Sequence, residues 1–299
     1  MKCSFLSFVF CLLFSFSAEA VTYTKEDSIR VVQLLQEGSL QPSTDNLVLY
    51  YARQFLDVPY VGHTLDVNRQ EDLVVNLREL DCTTYVETVV ALALATQHHG
   101  TTWQDFLHWL QTIRYNKGKL DGYCSRNHYF SQWIESNTSL GLVEEQEFAG
   151  YPFTAIQQLQ LNYMSTHPEY YAMLKDNPED VKTIAQLEQA VSGTKVRYIP
   201  VGLLDEPKTK LKYVKNGDIL ALVTNKRGLD VSHVGFAEWG RDGKLHLLNA
   251  SSIRKRVVLE PMTLYQYAQR NPSMLGIRVI RCPLPAPPLG EGSKAEGEN

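Results

Sequence analysis

The chain has 299 residues, of which 44% are hydrophobic, and its formal net charge at pH 7 is −4. A charge this close to zero indicates neither a nucleic-acid-binding protein nor a protein that binds anionic membrane surfaces. The length is sufficient for one full hydrophobic core with additional helices.

The first 20 residues predict a cleaved secretory signal peptide. Lys2 precedes an apolar run from Ser4 to Ser17, and Ala18-Glu19-Ala20 supplies a small-x-small cleavage site. The run is short for a membrane anchor, and no basic stop-transfer residues follow it. We therefore expect cleavage after Ala20, a periplasmic or secreted protein, and no membrane span in the mature chain.

Helical patterns precede strand patterns along the chain. Hydrophobic periodicity and capping residues predict helices over 24–37, 44–57, 82–98, 102–113, 125–135 and 180–191. Alternating and apolar runs predict strands over 196–199, 218–223, 232–239, 244–249, 254–259 and 276–281. Helices followed by a meandering sheet predict an α+β fold, here as one domain over 21–282. Residues 283–299, first Pro-rich and then rich in Gly, Glu and Lys, predict a disordered tail.

Three cysteines remain once the leader is removed: Cys82, Cys124 and Cys282. Because the number is odd, at least one thiol must stay free or pair with another molecule. Cys82 follows Asp81, a predicted helix cap, and opens a long apolar run. N–H groups in the first turn of a helix favour the thiolate, which predicts a reactive thiol. A lone cysteine in this position is also commonly a small buried hydrophobe. We expect Cys124 and Cys282 to be structural, and the sequence leaves their pairing open.

A histidine and an asparagine are predicted to meet on neighbouring strands. His233 begins a strand-like run in which Gly235 leaves room for a close neighbour, and the Asp242-Gly243 turn leads to a strand that contains Asn249. An antiparallel hairpin would bring the end of the second strand beside the start of the first. Each residue alone is commonly structural. Together with Cys82 they match a nucleophile, a base and a group that orients the base.

The pattern of histidines and glycines predicts no metal and no cofactor. The eight histidines lack the spacing of a zinc site, His-Glu-x-x-His is absent, and no Gly-rich phosphate loop is present.

Three segments resemble the NlpC-type cell-wall cysteine hydrolases, a branch of the papain-like superfamily: DCTTYVETV, SHVGFAEWGRDGKLHLLNASS and FLDVPYVGHTLD. Over about residues 45–282 the chain is most similar to the N-acetylmuramoyl-L-alanine amidase-like family, whose members share helical insertions and a stretch like the one at 126–130. Thr83 stands where many relatives have Ser, and Asn249 where many have a third His. The resemblance implies a papain-like core, in which a helix bearing Cys packs on an antiparallel sheet bearing His.

The resemblance also implies a reaction, which is hydrolysis of the amide between N-acetylmuramic acid and L-alanine in peptidoglycan or its fragments. Cys82 would attack the lactyl carbonyl, His233 would protonate the departing amine, and water would release the acyl-enzyme. Asn249 or a backbone carbonyl would orient the imidazole. The expected partner is therefore peptidoglycan or a muropeptide, and the oligomeric state stays open.

Four residues are candidates for substrate binding: Tyr60, Asp81, Arg126 and His128. Tyr60 would line the cleft or donate toward the oxyanion, and otherwise packs in the core. Asp81 is expected above all to cap the N-terminus of the helix that begins at Cys82. A further role in the cleft stays open. Arg126 and His128 would hold a sugar or a peptide carboxylate, and otherwise lie on a surface helix.

A nearby aromatic stretch leaves two interpretations open. Its side chains would stack on a pyranose ring or fill the core under a helix; they are Tyr123, His128, Tyr129 and Trp133.

Three other functions remain open. An endopeptidase that cuts between D-glutamate and the diamino acid of the stem peptide would use the same machinery. A catalytically inactive cell-wall binding protein is disfavoured by the complete Cys, His and polar third residue. A thiol acyltransferase acting on lipids is disfavoured because no membrane-anchoring helix is predicted.

Overall fold

The computed structural model describes residues 21–42 and 46–283. The predicted signal peptide and, apart from Pro283, the predicted tail lie outside the described residues. The α-helices are α1 (Lys25–Ser39), α2 (Leu47–Arg53), α3 (Cys82–Gln97), α4 (Trp103–Arg114), α5 (Phe130–Ser139), α6 (Tyr163–Thr166), α7 (Pro178–Val191) and α8 (Leu264–Gln269). The strands are β1 (Val21–Thr22), β2 (Leu73–Val74), β3 (Glu144–Glu145), β4 (Ala155–Gln158), β5 (Lys195–Pro200), β6 (Ile219–Thr224), β7 (Val231–Trp239), β8 (Leu245–Ser251), β9 (Arg256–Leu259) and β10 (Met274–Arg281).

One antiparallel sheet dominates the second half of the chain. Its strand order is β4-β5-β10-β6-β7-β8-β9, and β3 pairs with β10. The strands from β6 to β9 form a meander in which each pairs with the next. The predicted α+β class is thereby confirmed.

Both faces of the sheet are covered, which explains the continuous apolar run in β6. Ile219 and Ala221 contribute to a core shared with α1, α2, α3 and α4, whereas Leu220 and Leu222 contribute to a second core that includes α8. Successive residues of a strand point to opposite faces, so a strand covered on both sides is apolar throughout.

Helix α3 lies at the centre of the first core. Every residue from Thr84 to Ala95 is buried, as expected for a helix that is apolar on all sides. It packs against α2, α4 and β7. This packing fixes the position of its first residue, Cys82, relative to the sheet.

Several boundaries differ from the predicted ones. Within the described residues, the helix predicted over 44–57 spans only Leu47–Arg53, because the chain turns away before Asp57, which has a positive φ of 68° and donates its backbone N–H to the carbonyl of Val257 at 2.9 Å. The helix predicted from 125 begins only at Phe130, because Asn127 donates its backbone N–H to the carbonyl of Arg114 at 2.9 Å and holds the preceding segment extended. These tertiary hydrogen bonds outweigh local helix propensity. Helix α8 and strand β4 were not predicted, because α8 has only six residues and β4 is polar and partly exposed.

Candidate active site

Cys82 is the first residue of α3, and Asp81 is its N-cap. The Asp81 carboxylate accepts the backbone N–H of Thr84 at 2.8 Å, and the Thr84 hydroxyl accepts the backbone N–H of Asp81 at 2.9 Å. This reciprocal capping confirms the predicted cap. Val234, the residue after His233, lines the same cavity as Cys82, and its backbone lies near enough to the Cys82 sulfur to oppose the rise of the thiol pKa. The helix start and the start of β7 therefore meet at the thiol.

His233 and Asn249 are joined by a direct hydrogen bond. His233 Nε2 lies 2.8 Å from Asn249 Oδ1. Because an amide oxygen can only accept, Nε2 carries the proton and Nδ1 keeps its lone pair. Asn249 is completely buried, and its Nδ2 donates to the carbonyl of Val258 at 3.4 Å. The amide is thus held from both ends, which fixes the imidazole tautomer.

Gly235 allows β8 to approach β7 closely beside this pair. A Cβ placed on Gly235 would lie 2.7 Å from the carbonyl oxygen of Leu248 and 2.9 Å from Cβ of Asn249. The predicted room at Gly235 is confirmed, since any larger residue would contact the strand that carries Asn249.

The thiol and the imidazole have opposite pKa shifts. Burial, followed by the charge of Asp81, raises the pKa of Cys82 to about 12. Burial lowers the pKa of His233 below its usual 6.5, against the opposing effects of Asn249, Glu260 and Asp81. The sequence predicted a lowered thiol pKa from the helix terminus alone, but desolvation outweighs the helix terminus here. At neutral pH both groups are therefore uncharged.

Two cavities meet at the wall that contains Ser232 and His233. The first, which we call the thiol cavity, has a volume of about 200 Å³ and is lined by Cys82, His128 and Tyr171 among others. The second has a volume of about 420 Å³ and is lined by residues of four loops, of the start of β7 and of α8. Cys82 and His233 both keep part of their surface open to the thiol cavity while lying deep in the protein.

Tyr60, predicted to line the cleft, is not among the residues that line the two cavities, although it lies on the segment beside the start of α3. Its backbone pairs with Leu80, which precedes Asp81. Burial and the nearby Cys82 and Asp81 raise the pKa of Tyr60 to about 12, so its hydroxyl stays protonated and able to donate.

His128 and Arg126, predicted together, lie in different surroundings. His128 lines the thiol cavity, donates from Nε2 to the carbonyl of Tyr123 at 2.8 Å, and has a pKa lowered to about 3 by burial and by Arg126. Arg126 forms ion pairs with Glu71 and Asp66 and lines a separate cavity beside α5. Its charge is compensated by these two carboxylates, and Arg126 is not among the residues that line the thiol cavity.

The residues of the predicted aromatic stretch also lie in different surroundings, some in the core and some at the thiol cavity. Trp133 is fully buried in the first core. Tyr129 donates its hydroxyl to Glu188 at 2.6 Å, although part of the residue lines the thiol cavity. Trp133 therefore fills the core, while the segment 127–130 forms one wall of the thiol cavity.

Three residues of this region were not predicted from the sequence. Tyr171 lines the thiol cavity, and Glu260 and Tyr267 line the second cavity. Burial, followed by the nearby Glu260 and Cys82, raises the pKa of Tyr267 to about 12. Glu260 accepts from the Ser251 hydroxyl at 3.1 Å. A single tyrosine or glutamate outside a motif carries no sequence signal, and only the fold brings these residues to the site.

Within residues 21–42 and 46–283, no cluster of three His, Cys, Asp or Glu side chains has the arrangement of a metal site. Over the same residues, no helix combines the length and apolarity needed to cross a bilayer. Cys82, Cys124 and Cys282 are all free thiols.

The fold and site together define an α+β protein in which a thiol, an imidazole and an amide converge beside two cavities. Residues 50–277 match the AmiA-like family, described as N-acetylmuramoyl-L-alanine amidase-like. The chain belongs to this family.

Several solved structures are similar to the chain. An N-acetylmuramoyl-L-alanine amidase from Bacteroides uniformis is 40% identical, with 82% of this chain and 98% of that chain covered and a TM-score of 0.73. A Bacteroides fragilis protein provisionally described as a xylanase is 48% identical, with 78% and 99% covered and a TM-score of 0.73. A Legionella pneumophila protein shares the fold at 23% identity and a TM-score of 0.65, with 87% and 95% covered. No match was found among proteins with curated functions.

Proposed function

We propose that the protein is an exported cysteine amidase that hydrolyses the bond between N-acetylmuramic acid and L-alanine in peptidoglycan or its fragments. The single observation that carries this proposal is the 2.8 Å hydrogen bond between His233 Nε2 and Asn249 Oδ1, on the strand whose start meets the Cys82 thiol. Membership of the amidase-like family supports the choice of bond.

The proposed core is papain-like and of the NlpC type. Two features support this assignment: the thiol lies at the N-terminus of the most buried helix, and that helix packs on the strand that bears His233. Nucleophile, base and orienting amide follow one another in the chain as Cys82, His233 and Asn249, which is the set of groups that a Cys-His-Asn site requires.

In the acylation step, Cys82 Sγ attacks the lactyl carbonyl carbon while His233 Nδ1 accepts the thiol proton. The carbonyl oxygen becomes an oxyanion. Within the described residues, the backbone N–H of Cys82 at the helix start donates no hydrogen bond, so it would serve as a donor to the oxyanion, as would the Tyr60 hydroxyl. The C–N bond then breaks as the imidazolium gives its proton to the nitrogen of L-alanine. A thioester and a free peptide amine result.

In the deacylation step, His233 takes a proton from water as the water oxygen attacks the thioester carbonyl. The C–S bond breaks, Cys82 recovers a proton from the imidazolium, and the sugar leaves with a lactyl carboxylate. Asn249 holds the same tautomer through both steps, because its buried amide accepts only from Nε2.

A glycosidase, as the description of the Bacteroides fragilis relative would indicate, has less support. Glycoside hydrolysis ordinarily uses two carboxyl groups across the scissile bond. The two carboxylates that line the cavities are occupied: Asp230 accepts the N–H groups of Ser131 and Val231, and Glu260 pairs with Arg254.

The test is mass spectrometry of products from purified muropeptides. The wild-type protein should release a free peptide beginning with L-alanine, and it should leave the same peptide without its sugar intact. The Cys82→Ala variant should stay folded and release nothing, whereas the Cys124→Ala variant should retain activity because Cys124 lies outside both cavities. Turnover by Cys82→Ala at the wild-type rate would refute the mechanism. A dipeptide retained on the sugar would indicate an endopeptidase, and no product from folded wild-type protein would indicate a binding protein.

A further inference from the structure

The two cavities that meet at His233 differ in charge. The described lining of the thiol cavity contains no Lys or Arg side chain. Its one histidine beyond His233 is His128, whose pKa is lowered to about 3 and which is therefore neutral. The second cavity is lined by Lys226, Arg254 and Arg270, with Glu260 as its one carboxylate. We call it the cationic cavity.

Three separate elements bring these cations together. Lys226 lies in the loop between β6 and β7, Arg254 in the turn between β8 and β9, and Arg270 caps the C-terminus of α8. Arg254 is paired with the buried Glu260. Within residues 21–42 and 46–283, neither Lys226 nor Arg270 has a carboxylate at ion-pair distance. The cavity therefore has an excess of positive charge with no protein partner.

The chemistry of acylation decides which part of the substrate each cavity receives. The acyl group becomes bonded to Cys82 and must stay on the thiol side. The leaving nitrogen must receive its proton from the imidazole, so the peptide that carries this nitrogen extends past His233, away from the sulfur. Ser232 and His233, which form the wall between the cavities, mark the crossing point.

We infer that the cationic cavity binds the carboxylates of the leaving peptide, an inference that rests on the proposed function. A stem peptide that begins with L-alanine and D-glutamate carries its first free carboxylate about 7 Å from the scissile nitrogen, by the reach of two extended residues. A cavity of about 420 Å³ accommodates this dipeptide portion. The thiol cavity, whose described lining has the Asp230 carboxylate but no Lys or Arg, correspondingly receives the lactyl end of the uncharged N-acetylated sugar.

The first experiment compares three muramyl dipeptides that differ only in carboxylates. MurNAc-L-Ala-D-Glu has two, its D-isoglutamine analogue has one, and the diamide has none. For the wild-type protein, kcat/KM should fall by about threefold to fivefold for each amidated carboxylate, mainly through KM, since partly exposed ion pairs are weak. The effect should shrink at high salt.

Two variants test whether the preference for carboxylate-bearing substrates arises in the cationic cavity. Arg270→Ala and Lys226→Ala should each lower kcat/KM for the diacid about threefold to fivefold and leave the diamide unchanged. Arg241→Ala is the matched control, because Arg241 is also exposed but lies on the β7–β8 turn, at the far end of β7 from His233. Equal kcat/KM for diacid and diamide in the wild-type protein would overturn the inference.

A binding measurement separates this inference from the proposed reaction. L-Ala-D-Glu, the peptide product, is titrated calorimetrically into Cys82→Ala, with and without Arg270→Ala. Binding that Arg270→Ala weakens supports the cationic cavity even if no muramyl bond is cut, in which case the proposed function alone fails. Binding that is absent, or unchanged by Arg270→Ala, refutes the cavity whatever the fate of the amide.

Discussion

Replacing Gly235 with alanine should damage the site through Asn249 and not through the thiol. The added Cβ would lie 2.7 Å from the Leu248 carbonyl oxygen and 2.9 Å from Asn249 Cβ. Neither atom is the end of a flexible side chain, so the strand itself must move. A shift of about 0.7 Å is needed to reach the 3.4 Å of an ordinary contact.

The size of this shift sets the expected effects. The His233–Asn249 hydrogen bond, now 2.8 Å long, would stretch to the limit of a useful bond. Overpacking of this kind destabilises a protein by about 1–3 kcal/mol. Misplacement of a catalytic group by a distance approaching 1 Å reduces the rate by up to about 100-fold. We therefore expect a folded variant with a lower denaturation midpoint and about 10- to 100-fold lower kcat.

The assay combines chemical denaturation with muropeptide hydrolysis under conditions where every variant is folded. Gly202→Ala is the control, because a Cβ there meets nothing within 4 Å; stability and turnover should stay at the wild-type level. The double variant Gly235→Ala/Asn249→Ala should be no slower than Asn249→Ala alone, since both changes act on one hydrogen bond. Wild-type activity of Gly235→Ala, or additive losses in the double variant, would refute the reasoning.

Two other predictions follow from the pKa shifts. The acidic limb of kcat/KM should lie below pH 6.5, because burial lowers the pKa of His233 and activity falls only once the imidazole is protonated. Asn249→Ala should move this limb to still lower pH, since its hydrogen bond raises the pKa of His233; a limb that moves upward would contradict this role. Asp81→Asn keeps a capping oxygen but removes the charge that raises the Cys82 pKa, so alkylation by iodoacetamide at fixed pH should be faster. The same variant should hydrolyse muropeptides more slowly, and faster turnover would count against the reasoning.

The elements that carry the site were predictable because their local signals agree with the fold. Asp81 and the apolar run after it specify a capped, buried helix, and α3 begins and ends within one residue of the prediction. The strands around Asp242-Gly243 form the predicted hairpin. In both cases burial, periodicity and turn chemistry favour the same structure.

Other features depend on contacts between residues far apart in the chain. Arg126 is of a residue type that often binds anionic ligands. Its ion pairs with Glu71 and Asp66 form only when two loops that are distant in the sequence meet, so the sequence does not predict them. Glu260 and Arg270 reach the site through turns after β9 and α8. The direction of the Cys82 pKa shift likewise depends on burial, which a helix start does not specify.

The carboxylates near the site disfavour the thiolate form of Cys82 and favour the imidazolium form of His233. Asp81 raises the pKa of Cys82 and so opposes a free thiolate, whereas Asp81 and Glu260 both raise the pKa of His233 and so stabilise the imidazolium. In the acylation step that we propose, the imidazolium would form as the thiol proton moves to His233, while the negative charge would pass from sulfur to the carbonyl oxygen of the substrate. Carboxylates arranged in this way hold the resting thiol neutral and stabilise the cation that forms only during attack. This arrangement makes thiol alkylation and amide hydrolysis respond in opposite directions to the loss of the Asp81 charge.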